Sequence, residues 1–185
     1  MKIILASASP RRKELLKRIT PNFTVIPAVG EERVNLSLFP DKIACSLAEH
    51  KCDEVFSANP KCLVIGCDTV VAFGDKILGK PQDGEDAVQT LKMLSGKTHF
   101  VYTGVCVRSP NKKLIKCDKT EVRFNNLTDK FIREYVESGS PMDKAGSYGI
   151  QDAGVVREYF GSYTNVVGLP VGLVTNMIKE VLDNE

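Results

Sequence analysis

Cys62-Leu63-Val64-Ile65-Gly66-Cys67 is the most apolar run of the chain, and Asp68-Thr69 follows it directly. A short, continuous apolar run of this kind reads as a central strand. Just downstream, residues 70–73 and 76–78 flank Gly74-Asp75, a hairpin signal. Upstream, residues 2–6 read as a short buried strand. Ser9-Pro10 then opens a helix, with Ser at the N-cap and Pro at the first helical position. Leu15, Leu16 and Ile19 give that helix one apolar face, and Thr20-Pro21 ends it. Residues 23–27 predict a second strand, residues 30–37 a polar loop, and residues 40–57 a second helix. Further along come a helix over 83–94 and two long strands, 99–108 and 114–124, joined by Ser109-Pro110-Asn111. A helix over 129–137 capped by Thr128, a glycine-rich loop over 139–149, a strand over 154–160 and a last helix over 170–182 complete the chain. Strands and helices alternate first, and strands then pair in hairpins. That order predicts an α/β fold with a mixed sheet.

The chain has 185 residues, which fits one domain, 1–185. A chain of that length buries roughly 70% of its unfolded surface, so its core needs no disulfide or metal staple. Hydrophobic residues make up 43% and charged residues 26%, which excludes wholesale disorder. A net charge of +2 is too balanced for a nucleic-acid coat or a basic membrane binder. No apolar stretch is long enough for a membrane span, and the N-terminal segment lacks the order of a secretory signal. The six cysteines are Cys45, Cys52, Cys62, Cys67, Cys106 and Cys117. None is spaced C-x-x-C, and their apolar neighbours suit reduced thiols, so a cytoplasmic setting is expected. Only two histidines, His50 and His99, are present. Multi-histidine metal sites and a Ser/His/Asp triad lose their support, and chemistry here falls to carboxylates, Lys and Arg.

Several segments carry such groups. Ser7-Ala8-Ser9-Pro10-Arg11-Arg12 lies between the first strand and the first helix. A helix N-terminus offers unpaired N–H groups and about half a positive charge. Arg11 and Arg12 in the first turn oppose that dipole. An anion such as a phosphate would compensate them; the alternative is a plain N-cap with solvated arginines. On the second helix, Ile43, Ala44, Leu47, Ala48 and Val55 form one apolar arc with Lys51 in its middle. A lysine there either snorkels to an edge or meets a buried anion. Asp68 follows the central strand, where ligand sites of α/β sheets gather. It reads either as a metal ligand or proton acceptor, or as a turn residue satisfying its own backbone. Lys80, held before Pro81, reads alone as a surface turn residue. Within Asp143-Lys144-Ala145-Gly146-Ser147-Tyr148-Gly149-Ile150-Gln151, the glycines permit close approach of a ligand, and Gln151 can both donate and accept. A structural loop is the alternative there. Glu31-Glu32 is either a solvated pair or, if it meets Asp68, part of a metal site. No P-loop and no G-x-G-x-x-G after a strand occurs.

Together these segments resemble the Maf family of nucleoside triphosphate pyrophosphatases. The likeness rests on LASASPRRKELL (5–16), the Glu31-Glu32 loop, the segment ending at Lys51, IGCDTVV (65–71), LGKPQD (78–83), LSGKTHFVYTGV (94–105), PMDKAGSYGIQ (141–151) and NVVGLPV (165–171). The resemblance implies a mixed, elongated α/β sheet with two lobes around a cleft, akin to inosine triphosphatases and often a homodimer. It also implies hydrolysis of a nucleoside triphosphate to the monophosphate and pyrophosphate with a divalent metal, Mg²⁺ or Mn²⁺. By the same resemblance Asp68 is the proton acceptor or a metal ligand, Glu32 the second acidic residue of the site, and Ser7, Arg11, Arg12, Lys51 and Lys80 contact phosphates and the reacting centre. Arg12, Thr69 and Gln151 match positions linked to substrate choice, and Arg11, Thr69 and Gly149-Ile150-Gln151 side with a dTTP/UTP branch. No membrane or nucleic-acid partner is implied. The rivals are a nucleotide-sensing or septum-related regulator and a purine (inosine/xanthosine) triphosphatase. One departure stands out: the family commonly has Gly after the loop Gln, and this chain has Asp152. An added carboxylate there bears on the base pocket or on loop mobility, not on phosphate chemistry.

Overall fold

A computed structural model describes residues 1–30 and 35–183 of the chain. The elements in order are β1 (Ile3–Leu5), α1 (Pro10–Lys17), β2 (Thr24–Val25), α2 (Pro40–Ala58), β3 (Leu63–Phe73), β4 (Lys76–Leu78), α3 (Gly84–Leu94), β5 (Thr98–Arg108), β6 (Lys113–Phe124), α4 (Asp129–Glu137), β7 (Val156–Phe160), α5 (Tyr163–Val167) and α6 (Val171–Leu182). Two short 3₁₀ turns, Ser140–Asp143 and Ala145–Ser147, lie between α4 and β7. Caps sit where side-chain chemistry calls for them: Ser9, Asp83 and Thr128 each accept a hydrogen bond from the first turn of their helices.

The seven strands form one sheet in the order β2-β1-β3-β5-β6-β7, with β4 also paired to β3. β1 runs parallel to β2 and β3, and all the other pairings are antiparallel. The mixed α/β sheet expected from the sequence is therefore present. Side-chain alternation explains why its centre is apolar on both sides. Ile4, Val64 and Cys106 face Ala48, Cys52 and Val55 of α2. Leu5, Ile65, Val105 and Val107 face the other way, onto Leu15 and Leu16 of α1 and Met177 and Val181 of α6. Towards the far end, Val71, Val101, Val122 and Phe124 pack with Leu91 and Leu94 of α3 and Ile132 of α4.

Two glycines set how closely α2 lies on the sheet. A Cβ on Gly66 would stand 2.3 Å from the Ala48 carbonyl oxygen, and one on Gly104 would stand 2.2 Å from that of Ala44. Only bare backbone at those two sheet positions leaves room for the helix.

Some sequence expectations shift. The strand expected over 23–27 is only Thr24–Val25, and α5 was not anticipated. The larger difference concerns residues 62–73. The central strand and the first arm of the hairpin are one continuous 11-residue strand, so Asp68 sits in mid-strand rather than after its end. The cause is β5, which pairs with β3 without interruption from Val64–Arg108 to Ala72–Phe100. On the opposite edge the neighbours change. β1 pairs only as far as Leu5–Ile65, and β4 begins at Val71–Leu78. Among the described residues, β3 has no strand partner on that edge from Gly66 to Val70.

Candidate active site

That interrupted edge opens into a cavity of about 690 Å³. Ser7, Arg11, Arg12, Lys51, Asp68, Thr69, Lys80 and Gln151 all line it, although they come from five separate segments of the chain. Glu32, the remaining residue singled out from the sequence, lies outside the described residues, as does Glu31.

The alternation of β3 sends Asp68 and Thr69 to opposite faces of the sheet, and each meets a cation there. On the α2 face, Lys51 Nζ donates to Asp68 Oδ1, with the two side chains 14% and 13% exposed. The helical-wheel position of Lys51 left open an edge or a buried anion, and the Asp68 carboxylate is an anion that it meets. The glycine-permitted contact of α2 with the sheet brings the two within reach.

On the other face, Arg12 is held at three points. Its Nε donates to the Gly168 carbonyl at 2.8 Å, Nη1 to Ser7 Oγ at 3.2 Å and Nη2 to Thr69 Oγ1 at 3.2 Å. The two threonine hydroxyls, Thr69 and Thr103, are 2.9 Å apart, and Thr103 Oγ1 donates to the Asn165 carbonyl at 2.9 Å. A hydroxyl has one proton to give. Thr103 spends its proton on Asn165, so the proton between the threonines belongs to Thr69. Thr69 thus donates to Thr103 and accepts from Arg12, which fixes the guanidinium plane.

Arg11 reaches across the opening to Asp143, Nη1 to Oδ2 at 2.7 Å, and Lys144 Nζ donates to the other oxygen of the same carboxylate at 2.8 Å. Partial burial pushes the Asp143 carboxyl up, but hydrogen bonds from Lys144 and Arg11 outweigh it and hold the group below the ordinary carboxylate range. Lys80 is exposed at the mouth. Its turn is tied to the glycine-rich loop by a 2.9 Å bond from Gly146 N to the Gly79 carbonyl. Gly146 has φ +71°, and a side chain there would press on Val71 at 3.0 Å. Below the loop, Tyr148 OH and His99 Nε2 are 2.7 Å apart. Burial pushes the Tyr148 phenol up and holds His99 down to about 4.

Sequence reasoning gave no role to Asp143, Lys144, Thr103 or Asn165. Asp143 and Lys144 stood inside a quoted motif that was read through its glycines and Gln151. Thr103 was visible only as a hydroxyl inside an apolar strand.

Among the described residues no group of three or more His, Cys, Asp and Glu side chains is placed to hold a metal ion. Among the described residues, the carboxylates lining the cavity are Asp68 and Asp143. A donor set of one or two carboxylates fits a hard divalent cation that takes most of its ligands from phosphate oxygens and water, as Mg²⁺ does, rather than an all-protein cage.

Comparisons with known proteins agree with this architecture. The chain is 45% identical over 179 residues to the dTTP/UTP pyrophosphatase of Bacillus pumilus, covering 96% of this chain and 95% of that one. It is 44% identical over 183 residues to the dTTP/UTP pyrophosphatase of Aquifex aeolicus, covering 98% and 96%. Among solved structures, the Staphylococcus aureus Ham1 protein superposes with a TM-score of 0.56 at 13% identity, over 97% of this chain and 99% of that one. That last likeness concerns the fold alone. Residues 2–181 match the family described as Maf-like protein, and with relatives this similar over nearly its whole length, the chain belongs to the Maf family.

Proposed function

We propose that this protein is a nucleoside triphosphate pyrophosphatase that hydrolyses dTTP and UTP to the monophosphate and pyrophosphate. The observation that carries this reading is the convergence of five cations and one open-edge carboxylate on a single cavity. Arg11 and Arg12 approach it from one segment and Lys51, Lys80 and Lys144 from three others, with Asp68 among them. A triphosphate carries about four negative charges near neutrality, and prearranged cations stabilise charge as it builds on the leaving pyrophosphate. The names of the curated relatives support the choice of dTTP and UTP.

In this reading Asp68 takes the proton of the water that attacks the α-phosphorus as pyrophosphate leaves, while Lys51 fixes the carboxylate through Oδ1. Arg12, locked by Gly168, Ser7 and Thr69, holds a phosphate in one orientation. Arg11 leaves Asp143 to clamp a second phosphate. Gln151 faces the base at the cavity mouth. A divalent cation held by Asp68 and the substrate phosphates, with Glu32 as the second carboxylate that the family resemblance implies, supplies charge neutralisation when bound. The cytoplasm is the compartment this reading favours, with all six cysteines as free thiols and no described helix long and apolar enough to cross a membrane.

The test is a panel of nucleoside triphosphates with Mg²⁺ or Mn²⁺ and product identification. Pyrophosphate and monophosphate from dTTP and UTP are expected. Release of orthophosphate, or preference for purine substrates such as ITP, would overturn the assignment.

A further inference from the structure

Asp152 does not line the large cavity. Asp152 Oδ2 accepts from Tyr135 OH of α4 and, at 2.9 Å, from Ser140 Oγ. The same phenol oxygen accepts from Gly149 N at 3.1 Å. The short turn is closed by Asp152 N donating to the Gly149 carbonyl at 3.0 Å. Both ends of the segment 149–152 are therefore tied to one phenol on a packed helix. The residue held between them is Gln151, which lines the large cavity on one side and a shallow depression bordered by Tyr135 and Asp152 on the other. The side chains of Gln151 and Asp152 fold over Gly149 so closely that a Cβ there would stand 2.5 Å from Gln151 Nε2 and 2.8 Å from Asp152 Oδ2.

The direction of these bonds is set by proton count. A phenol has one proton, and it goes to Asp152, which leaves the phenol oxygen free to accept the Gly149 N–H. Burial, and then the bond to Asp152, push the Tyr135 phenol up, so it stays a donor through the neutral range.

We infer that Tyr135 and Asp152 are positioning residues that hold Gln151 against the nucleobase and so set discrimination between pyrimidine and purine triphosphates. The inference rests on the reading of Gln151 as the base-facing residue. Neither Tyr135 nor Asp152 lines the large cavity, so both act through the loop and not by touching substrate. A single oxygen, Asp152 Oδ2, accepts both hydroxyls. An amide oxygen in its place can accept the same two, whereas glycine can accept neither.

The experiment compares kcat and KM for dTTP and dGTP in wild type, Tyr135→Phe, Asp152→Gly, Asp152→Asn and Gln151→Ala. Loss of these positioning hydrogen bonds, two in each variant, is expected to lower the dTTP/dGTP ratio of kcat/KM by about 3- to 10-fold in Tyr135→Phe and Asp152→Gly. The change should fall on KM for dTTP, with kcat held within about threefold. Asp152→Asn should keep the wild-type ratio. Tyr135→Phe removes one oxygen from a packed ring, so it reports even where the glycine variant folds poorly. If Gln151→Ala loses discrimination while Tyr135→Phe and Asp152→Gly keep it, the positioning role is overturned and the base-side reading stands. If Gln151→Ala itself keeps full discrimination, the reading of Gln151 is the part that fails. An Asp152→Asn variant as impaired as Asp152→Gly would overturn positioning through these hydrogen bonds.

Discussion

Asp68 and Thr69 are neighbours in sequence that act on opposite sides of a sheet. Asp68→Asn retains the volume and the Oδ1 acceptor for Lys51 but cannot take a proton. kcat for dTTP should fall by about 10²- to 10⁴-fold, the range of a lost general base, and Tm should fall as well, because Lys51 loses the charge of its largely buried partner. A variant turning over at nearly the wild-type rate would remove Asp68 from that role. Thr69→Val breaks the proton order that runs from Arg12 through Thr69 to Thr103. It leaves one guanidinium donor without its hydroxyl. A hydrogen bond to a charged group contributes about 1.5–3 kcal/mol, so kcat/KM should drop by about 10- to 100-fold. Steady-state kinetics with dTTP and UTP check this, and unchanged kcat/KM would mean that Gly168 and Ser7 suffice to hold Arg12.

The element that matters most is α2, because it carries Lys51 to Asp68 and rests on two bare positions of the sheet. Gly104→Ala would drive a methyl group to 2.2 Å from the Ala44 carbonyl oxygen and 2.5 Å from Cys45 N. These are backbone atoms of a helix and cannot swing aside, so the whole helix must lift. Overpacking of this kind costs about 2–3 kcal/mol, or roughly 5–10 °C in Tm for a chain of this size. Activity should fall further than stability alone explains, since Lys51 lifts with the helix. A melt and an assay on the same sample check both, and a wild-type Tm would refute the contact. This element also marks what the sequence could and could not disclose. The helix was legible because its apolar arc is local, and Lys51 stood out as a charge inside that arc. Its partner was not legible, because Asp68 lies on a strand whose contact with α2 is set by Gly66 and Gly104. Glycines at those positions look like any others until the helix is placed. The unbroken course of β3 was hidden for a similar reason. The Gly74-Asp75 hairpin was visible, but the continuous ladder to β5 depends on residues 98–108, far along the chain. Arg11 and Arg12 suggested an anion site from local sequence, with a solvated N-cap as the alternative, whereas Asp143, which pairs with Arg11, comes from a loop 132 residues later.

For the molecule as a whole, pH should tune stability through His99. Its ring is fully buried, and burial holds its pKa to about 4 against an ordinary value of 6.5. Above about pH 6.5 neither folded nor unfolded chain carries the proton, and this contribution to stability is fully present. As pH falls from 6.5 towards 4, the unfolded chain takes the proton and the folded chain does not, so stability is lost progressively. At 1.36 kcal/mol per unit, about 2 kcal/mol should disappear between pH 7 and pH 5. Urea unfolding at the two pH values checks it. His99→Gln, which keeps a polar group for Tyr148, should flatten the dependence, and a variant curve parallel to wild type would exclude His99 as its source. The continuous strand β3 has a mechanical consequence as well. It belongs to both walls of the cleft, joined to β1 at one end, to β4 at the other and to β5 throughout. The walls therefore share a single rail and cannot swing about a hinge between them. Any tightening around a triphosphate falls to the rim, where the Gly79-Lys80 turn and the glycine-rich loop are bonded together through Gly146 and would travel as one flap over a jaw that stays still.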